Sequence, residues 1–451
     1  MRRPGTGRLW PLFALIIFSF SLAGCATRPT FEGWPGASSQ VTVGGVAEAD
    51  LAHRVPDGGV QKLNLELRPE LEVRMGEADL VVKPRLRIDP IDDIAPGKPE
   101  QPGRDPWTRS YKPGNDTEID LHEAFVRLPV GPAFLTLGKQ QTVWGEADGL
   151  KVLDTVNPQD FREFILDEFD QSRIPQWSVK AETAWRGIDL EAVWLLDQSQ
   201  HDLAEPGADY FLRAPRFLPP VSFSDNPVLR PVNRPGDGLQ RTSGGLRARG
   251  FHGGIDWSVL YLYQYDPAPV YRLRAQGPVT EITPSFRRRH IAGATFAAAQ
   301  GPFTLRGEAG YVFGQSLSVP LEVSADGLIR EDRAQGVLGL DWQGPGQVLV
   351  SGQAFVDHIT GSPRGLRRPD TDRFLTLLVR KPFLNETLSL DARYLTDARE
   401  GDGLARLKAV YQLSDDREIG GGLDAFFGDQ EGVFGQFNDQ SRVNLLFRQY
   451  F

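Results

Sequence analysis

The feature that most constrains the fold is an alternation of apolar and polar residues with a period of two, repeated in segments of about ten residues. From Ile255 to Tyr265 every second residue is apolar or aromatic, and the intervening positions begin with aspartate and serine. Thr387 to Tyr394 and Leu404 to Leu413 repeat the pattern with charged residues between the apolar ones. Glycine, proline and aspartate turns separate the segments. The pattern predicts β-strands with one apolar and one polar face.

The segment lengths distinguish a membrane barrel from a soluble sandwich. Soluble strands average about five or six residues, whereas a tilted strand needs about 9 to 11 residues to cross a bilayer. Tight turns at Arg186-Gly187, Gln300 to Pro302 and Gly344 to Gly346 alternate with much longer connections. Short periplasmic turns and long outer loops produce that rhythm. We therefore expect the apolar face to contact lipid and the charged face to line a wet lumen.

The end of the chain agrees with a barrel. Val443, Leu445 and Phe447 alternate toward a terminal aromatic residue, Phe451, which resembles the last strand that barrel-assembly machinery recognises. Beyond the N-terminus, no apolar run approaches the roughly 18 residues of a spanning helix. A closed barrel is the other structure that satisfies every backbone polar group in lipid.

Counting the segments predicts an all-β, antiparallel transmembrane β-barrel of about 16 to 18 strands with a helix in one inserted loop, occupying residues 40–451. An even number places both chain ends in the periplasm. The least regular segment is 40–53, and its loss with a neighbour would leave 16 strands. The candidate strands are 40–53, 61–73, 76–88, 118–129, 132–140, 174–185, 187–196, 242–252, 254–265, 286–299, 302–314, 333–343, 347–357, 372–381, 386–396, 403–413, 418–428 and 441–451.

The N-terminus has the order of a secretory signal, with arginines before an apolar run and then small residues. Residues 1–24 are predicted to be a lipoprotein-type signal peptide, and 25–39 a linker to the barrel. Leu22-Ala23-Gly24-Cys25 resembles a lipobox, and Cys25 is the only cysteine in the chain, so we expect its thiol to be acylated. The alternative is ordinary cleavage after Ala26.

Charge and motif content narrow the function. Residues 1–24 contain three of the 50 basic and none of the 59 acidic residues, so the mature chain has a net charge of −12. Nucleic acid is therefore excluded as a partner, because phosphate binding requires a basic surface. The six histidines show no metal-ligand spacing, and no nucleophile elbow, phosphate loop or dinucleotide fingerprint appears. We expect no enzyme activity, cofactor or metal; His122 beside Glu123 is the one weak catalytic candidate.

The connection 141–173 is the candidate functional segment. Asn157 suits a helix N-cap, Pro158 a first helical position, and Asp160 the positive helix start, which predicts a helix over about 158–169. Its apolar residues would form a single stripe that needs a surface to pack on. We expect the loop to fold inward as a constriction or plug, with an external rigid loop as the alternative. The stripe is Phe161, Phe164, Ile165 and Phe169, and the residues expected to fix where the loop leaves the strand are Gln141, Trp144, Gly145 and Glu146.

Charges around this connection are unbalanced. Acidic loop residues facing a basic wall across the lumen would create a transverse field that sieves polar solutes. The alternative is two solvated surfaces that bind lipopolysaccharide phosphates or nothing. The acidic set is Glu146, Asp148, Asp154, Asp160, Glu163, Asp167, Glu168 and Asp170, opposed by Lys151, Arg162 and Arg173. The basic set is Arg241, Arg247, Arg249, Arg287, Arg288 and Arg289, preceded by Arg213, Arg216, Arg230 and Arg234.

Two motifs in this region carry a resemblance to a known family. Gly138 to Glu146 reads Gly-x-Gln-x-x-x-Trp-Gly-Glu, and Asp154 to Asp160 reads Asp-x-x-Asn-Pro-x-Asp. This resembles a large family of uncharacterised proteobacterial outer-membrane proteins. The resemblance implies a porin-like barrel, and for some members work with periplasmic lipid carriers and an inner-membrane efflux pump. Such barrels more often carry an ordinary signal, so Cys25 departs from the family pattern.

Together these observations predict a protein of the Gram-negative outer membrane, in contact with its lipid and inserted by the barrel-assembly machinery. The predicted function is a channel for small polar or amphipathic solutes, constricted by residues 141–173. One alternative is a component of lipid or hydrophobic-molecule export, which the apolar stripe would suit. A second alternative, a soluble periplasmic β-rich lipoprotein, is disfavoured by the terminal Phe451.

Overall fold

The computed structural model describes residues 31–34, 37–55, 58–97, 101, 103–222, 226–234 and 238–451. The predicted signal peptide 1–24 and Cys25 lie outside the described residues. Eighteen long strands form the barrel. They are β1 Ala37–Arg54, β2 Val60–Met75, β3 Ala78–Ile88, β4 Thr117–Val130, β5 Ala133–Gln140, β6 Gln176–Trp185, β7 Ile188–Leu195, β8 Ser243–His252, β9 Ile255–Tyr265, β10 Arg288–Gln300, β11 Phe303–Ser318, β12 Leu328–Gln343, β13 Leu349–Ile359, β14 Thr371–Phe383, β15 Leu388–Asp397, β16 Gly403–Ser414, β17 Arg417–Phe427 and β18 Arg442–Tyr450.

The sheet closes on itself. Each strand pairs antiparallel with the next, and β1 pairs with β18 from Val46 opposite Tyr450 to Arg54 opposite Arg442. The C-terminal Phe451 extends this seam, because its backbone N–H and C=O both bond to Gly45, at 3.1 and 3.0 Å. The predicted antiparallel barrel is therefore confirmed, at the upper end of the expected strand number.

All eighteen predicted segments coincide with barrel strands, with small differences at the ends. The largest are at β11, which continues to Ser318, and β12, which begins at Leu328. Their pairing resumes after an irregularity between Val312 and Gln315 and so carries the hairpin further outward. The barrel begins at Ala37, within the range expected to be linker, and a short strand Phe31–Trp34 pairs with the start of β1.

Connections alternate in length as expected for both termini on one side. Tight turns join β2 to β3, β4 to β5 and the following hairpins, whereas the long connections follow β3, β5, β7 and β9. The connection between β9 and β10 contains a hairpin, Val270–Gln276 and Val279–Ser285, on which Pro227–Leu229 adds a third strand. The strand pattern of the sequence did not predict this small outer sheet.

The two faces of the barrel differ in chemistry. Leu338, Leu340, Leu375 and Leu377 are among the apolar side chains exposed on the outside, as a lipid-facing surface requires. Inside, charged side chains on strands β1 to β4 and β15 to β18 are buried or half-buried. Strands β7 and β9 to β13 instead turn apolar side chains inward, so one side of the lumen wall is apolar. Within the described part of the chain, no helix has the length and apolarity to cross a bilayer.

Candidate functional site

The connection between β5 and β6, residues 141–175, is called the inserted loop. Its Glu163 carboxylate accepts from the Lys62 ammonium on β2 at 2.5 Å and from Arg442 on β18 at 2.9 Å. Its Arg162 guanidinium bonds to Glu118 on β4 at 2.9 Å. All five side chains are buried. These contacts attach the loop to one side of the inner wall.

The same loop also reaches the other strands of the wall. Glu168 accepts from the Lys408 ammonium on β16 at 2.7 Å, and Asp148 accepts from Arg306 on β11 at 2.5 Å. One segment that contacts inward side chains of β2, β4, β11, β16 and β18 must lie inside the ring that these strands form.

Glu308 on β11 holds the first turn of the inserted loop. Its carboxylate accepts the backbone N–H groups of Glu146, of Ala147 at 2.6 Å and of Leu153 at 2.9 Å. A carboxylate that accepts several backbone N–H groups forms charge-assisted bonds, which are stronger than neutral ones. This wall residue therefore fixes the backbone where the loop turns inward.

Apolar contacts hold the first half of the loop to the apolar side of the wall. Leu153 is buried against two wall glycines, and a Cβ atom added to Gly293 or Gly310 would lie 2.6 or 2.9 Å from it. A side chain at either position would displace Leu153. Gly145 packs closely against a later part of the same loop, since a Cβ atom added to it would lie 2.5 Å from the Asp154 backbone nitrogen.

Trp144 anchors the loop near its exit from β5. Its indole is 1 % exposed, and its N–H donates to Glu191 at 2.8 Å. Glu191 in turn accepts from Arg247 at 2.7 Å, and Arg247 donates to the Val143 carbonyl at 3.1 Å. The exit point is thus held by an ion pair between β7 and β8, strands that the loop does not join.

The predicted helix over 158–169 is wrong. Asp160–Phe161 form instead a two-residue strand that pairs in parallel with Asp202–Leu203. Phe164 has φ of +56°, which a helix cannot include. The loop does contain a helix, α1, but it is one turn at Phe169–Ser172. Pairing with a distant segment replaced the local helix, because the backbone groups of 160–161 found partners there.

The residues expected to start the helix close the base of the loop instead. The Asn157 side chain accepts the Thr142 N–H at 2.7 Å and donates to the Ile174 carbonyl at 3.0 Å. The Pro158 carbonyl accepts the Ile174 N–H at 2.9 Å. Asn157 therefore joins the outgoing and returning ends of the loop and is not an N-cap.

The predicted apolar stripe is divided among three surroundings. Phe164 packs against Phe426, Phe434 and Phe437, with ring centroids 4.9 to 6.2 Å apart. The other two phenylalanines have different partners: Phe161 lies 5.0 Å from His201, and the Lys151 ammonium lies 4.5 Å above Phe169. These three phenylalanines therefore do not form one stripe with a shared packing surface.

The remaining acidic and polar loop residues make local contacts. Asp154 accepts from Arg173 at 2.9 Å, and Asp160 accepts from Arg162 at 2.6 Å. The Gln141 side chain donates to the Asp170 carbonyl at 3.1 Å. These pairs stiffen the loop and reduce its net charge.

The predicted basic cluster does not face the acidic loop as a unit. Within the described residues, only Arg247 of that set contacts the inserted loop. The others have separate partners. Three form ion pairs: Arg241 with Asp105, Arg249 with Asp189 at 3.2 Å, and Arg289 with Asp266 at 3.4 Å. The Arg287 carbonyl accepts the Asp266 backbone N–H at 2.8 Å, and the Arg288 guanidinium donates to the Gln240 carbonyl at 2.5 Å.

The wall residues that do contact the loop were missed in the sequence. They share one signal, a charged residue on the polar face of a predicted strand, but that signal does not identify a partner that lies 44 to 279 residues away in the chain. They are Lys62, Glu118, Glu308, Arg306, Arg406, Lys408 and Arg442.

A cavity of about 120 Å³ lies between residues 166–171 of the inserted loop and the charged side of the wall. Eight cations and seven carboxylates line it, so its charge is nearly balanced. The cations are Lys62, Arg68, Arg87, Arg393, Arg406, Lys408, Arg442 and Arg448, and the carboxylates are Glu48, Asp50, Glu66, Asp167, Glu168, Asp391 and Asp424.

Two loop carboxyls in this cavity differ in acidity. Burial raises the pKa of the Asp167 carboxyl to about 7, and the negative charge of Glu163 contributes to the rise. Burial also raises the pKa of Glu168, but the cations Lys408, Arg393 and Arg406 together lower it, to about 2. Glu168 is therefore charged at neutral pH, and Asp167 titrates there.

Outside this site, one loop brings three carboxylates together. Oxygens of Asp397, Glu400 and Asp402 lie within 4.8 Å of one another. Asp402 accepts the backbone N–H groups of Phe434 at 2.6 Å and Gly435 at 3.1 Å. These bonds join the β15–β16 connection to the β17–β18 connection, and we assign no metal to the group.

Comparison with known proteins agrees with this architecture. A family model described as "Protein of unknown function (DUF1302)" matches residues 85–445. No curated protein sequence matches the chain. Among solved structures, the chain is similar to OccAB1 of Acinetobacter baumannii, with TM-score 0.51 and 9% identity, over 94% of this chain and 98% of that one.

Two further structures of the same fold are from Pseudomonas. OccK2 (OpdF) of Pseudomonas aeruginosa, solved in complex with glucuronate, has TM-score 0.51 and 11% identity over 91% of this chain and 97% of that one. A BenF-like porin from Pseudomonas fluorescens Pf-5 has TM-score 0.50 and 8% identity over 92% and 98%. Because the sequence identity is so low, the likeness to these structures shows the fold alone.

Proposed function

The chain belongs to the family described as "Protein of unknown function (DUF1302)", and from its barrel architecture we propose that it is a porin-like channel of the Gram-negative outer membrane. The solutes that it passes are small and polar or amphipathic. In this proposal the inserted loop sets the bore of the channel.

The observation that carries this proposal is the charged half of the lumen. A protein that only spans the membrane has no need to face buried charges inward, since an apolar interior would be less costly. The Lys62, Glu163 and Arg442 side chains are buried there as a hydrogen-bonded group. Charged side chains along a lumen provide a polar path through the apolar bilayer.

The attachment of the inserted loop supports the proposed constriction. Ion pairs hold it to β2 through Glu163 and to β11 through Asp148. A segment tied to separate parts of the wall occupies the space between them. On the charged side a cavity of about 120 Å³ lies beside the loop, and this volume suits small solutes.

Export of lipid or hydrophobic molecules is supported less well. The apolar stripe that suggested it is packed among Phe426, Phe434 and Phe437 around Phe164. The cavity lining is charged. Cooperation with a periplasmic lipid carrier and an efflux pump therefore rests on the family resemblance alone.

Conductance in planar lipid bilayers tests the channel proposal. The purified, refolded chain should produce discrete current steps in KCl. The matched control is the same chain ended after residue 441, which lacks β18 and cannot close the seam with β1. Insertion of the intact barrel without any current steps would contradict the proposal, and steps from the truncated chain would show that they are an artefact.

A further inference from the structure

The cavity beside the inserted loop contains one cation that forms no direct ion pair with any described residue. Among the described residues, seven of the eight lining cations form ion pairs with lining carboxylates, whereas Arg393 on β15 forms no ion pair and no side-chain hydrogen bond. The pairs join Lys62 to Asp50 and Glu163, Arg68 and Arg448 to Glu48, Arg87 to Glu66, Arg406 and Arg442 to Asp424, and Lys408 to Glu168.

The surroundings of Arg393 explain why it has no partner. Its direct neighbour across the sheet is Arg406, a like charge that bonds to Asp424 at 2.8 Å. The carboxylate two residues earlier on its own strand, Asp391, bonds to Arg380 at 2.7 Å. Glu168, whose pKa the charge of Arg393 helps to lower, bonds directly to Lys408 at 2.7 Å. Arg393 and Arg406 therefore lie opposite each other and Arg393 has no direct counter-charge, which is unfavourable.

Asp167 is the lining carboxylate that forms no ion pair among the described residues. Because its pKa is raised to about 7 by burial and by Glu163, it carries only part of a negative charge at neutral pH. It therefore does not supply the missing counter-charge. The half-buried Arg393 guanidinium remains exposed to whatever occupies the cavity.

We propose that Arg393 binds the carboxylate group of small organic acids that enter this cavity, as a selectivity site of the channel. The inference rests on the proposed function. A guanidinium matches a carboxylate with two parallel N–H···O bonds and cannot lose its charge. The amides of Asn64, Gln171 and Asn444 also line the cavity and offer hydrogen bonds to uncharged polar groups of the same solute.

Binding is measured on the full barrel in detergent micelles, because this readout does not require conduction. The probes are propionate and propionamide, which have similar size and differ in charge. Saturation-transfer NMR measures the binding of each probe. The intact barrel should bind propionate at least about fivefold more tightly than propionamide, as expected for a charge-assisted hydrogen bond. Equal binding of the two probes would overturn the proposal without any variant.

Variants locate the site. Arg393→Gln should weaken propionate binding by about fivefold or more and leave propionamide binding unchanged, while Arg393→Lys should retain most of the preference. The matched control is Arg274→Gln, which removes the same charge from an exposed position on the outer hairpin. Heat modifiability on gels verifies that each variant is a closed barrel. Propionate binding that survives Arg393→Gln would overturn the proposal.

A conductance arm separates this inference from the channel proposal. Propionate on one side of the bilayer should reduce the KCl current, and Arg393→Gln should raise the half-blocking concentration by the same factor. Current steps without propionate dependence would reject Arg393 as a binding site and leave the channel proposal intact. Propionate binding in micelles without any current steps in bilayers would support Arg393 as a binding site and reject the channel proposal.

Discussion

At the residue scale, the site is built from charges that depend on one another. Glu163 bonds to both Lys62 and Arg442, and all three are buried. Removing one member of a buried ion pair typically costs about 3–5 kcal/mol, because the other charge is left uncompensated. The inserted loop and the wall are therefore expected to move as one unit.

Glu308 is the single residue whose change should loosen the loop most cleanly. Glu308→Gln removes the carboxylate charge that accepts the backbone N–H groups of Glu146, Ala147 and Leu153. Hydrogen bonds to charged groups contribute about 1.5–3 kcal/mol each to stability. We expect a higher mean conductance and more open-channel noise in bilayers. Glu322→Gln, at an exposed outer position, is the control. Unchanged noise and conductance would show that this anchor does not govern the bore.

Asp167 predicts a pH dependence of ion selectivity. Its raised pKa of about 7 means that it is mostly protonated at pH 6 and mostly negative at pH 8. The added negative charge repels anions, so the chloride-to-potassium permeability ratio should fall as pH rises, by roughly twofold for one charge beside a narrow path. Reversal potentials in a KCl gradient measure this ratio.

The control for this titration is a pair of variants. Asp167→Asn should abolish the change between pH 6 and pH 8, whereas Asp415→Asn, in an exposed turn, should retain it. A pH response that persists in Asp167→Asn would assign the titration to another group.

At the element scale, the inserted loop is expected to set the bore without being needed for assembly. The barrel ladder is complete without it, because β5 and β6 pair directly with each other. Deleting residues 147–170 should therefore give a folded barrel with a several-fold higher conductance, since pore area grows when a segment leaves the lumen.

The same deletion has a selectivity consequence. It removes the partners of wall cations such as Lys62 and Lys408, so the lumen should become more anion-selective. Replacing Glu163, Asp167 and Glu168 by glutamine should shift selectivity in the same direction. If the deletion variant inserts normally and its conductance and selectivity equal those of the parent, the loop does not constrict the channel.

At the scale of the whole molecule, the closed seam predicts heat-modifiable migration. Eighteen paired strands leave no free edge at which detergent can begin to separate them. Unboiled protein in dodecyl sulfate should migrate differently from boiled protein on gels, while a chain lacking β18 should show one position. Identical migration of the intact chain before and after boiling would contradict closure.

The N-terminus gives a separate prediction. Cys25 lies outside the described residues, and its acylation is expected from Leu22-Ala23-Gly24-Cys25. Mass spectrometry of the mature N-terminus measures it directly, with Cys25→Ser as the unmodifiable control. A mature chain that begins at Thr27 without lipid would show ordinary cleavage.

The sequence by itself determined the barrel strands. A strand in this fold has a lipid-facing and a lumen-facing side, so the period of two appears in local sequence, and the turn residues mark its ends. β9 shows where that signal weakens: Leu260 and Leu262 face an apolar part of the lumen, so both faces of the strand become apolar. Its bounds were nevertheless predicted to within one residue.

Only the tertiary structure decided the conformation of the inserted loop. The local signals at Asn157, Pro158 and Asp160 favoured a helix, whose hydrogen bonds are short-range. Contacts with Asp202–Leu203 and the packing of Phe164 on Phe437 outweighed those signals, because the lumen offered partners far along the chain. The ion pairs of the site have the same origin, since their partners become neighbours only when the ring of strands closes.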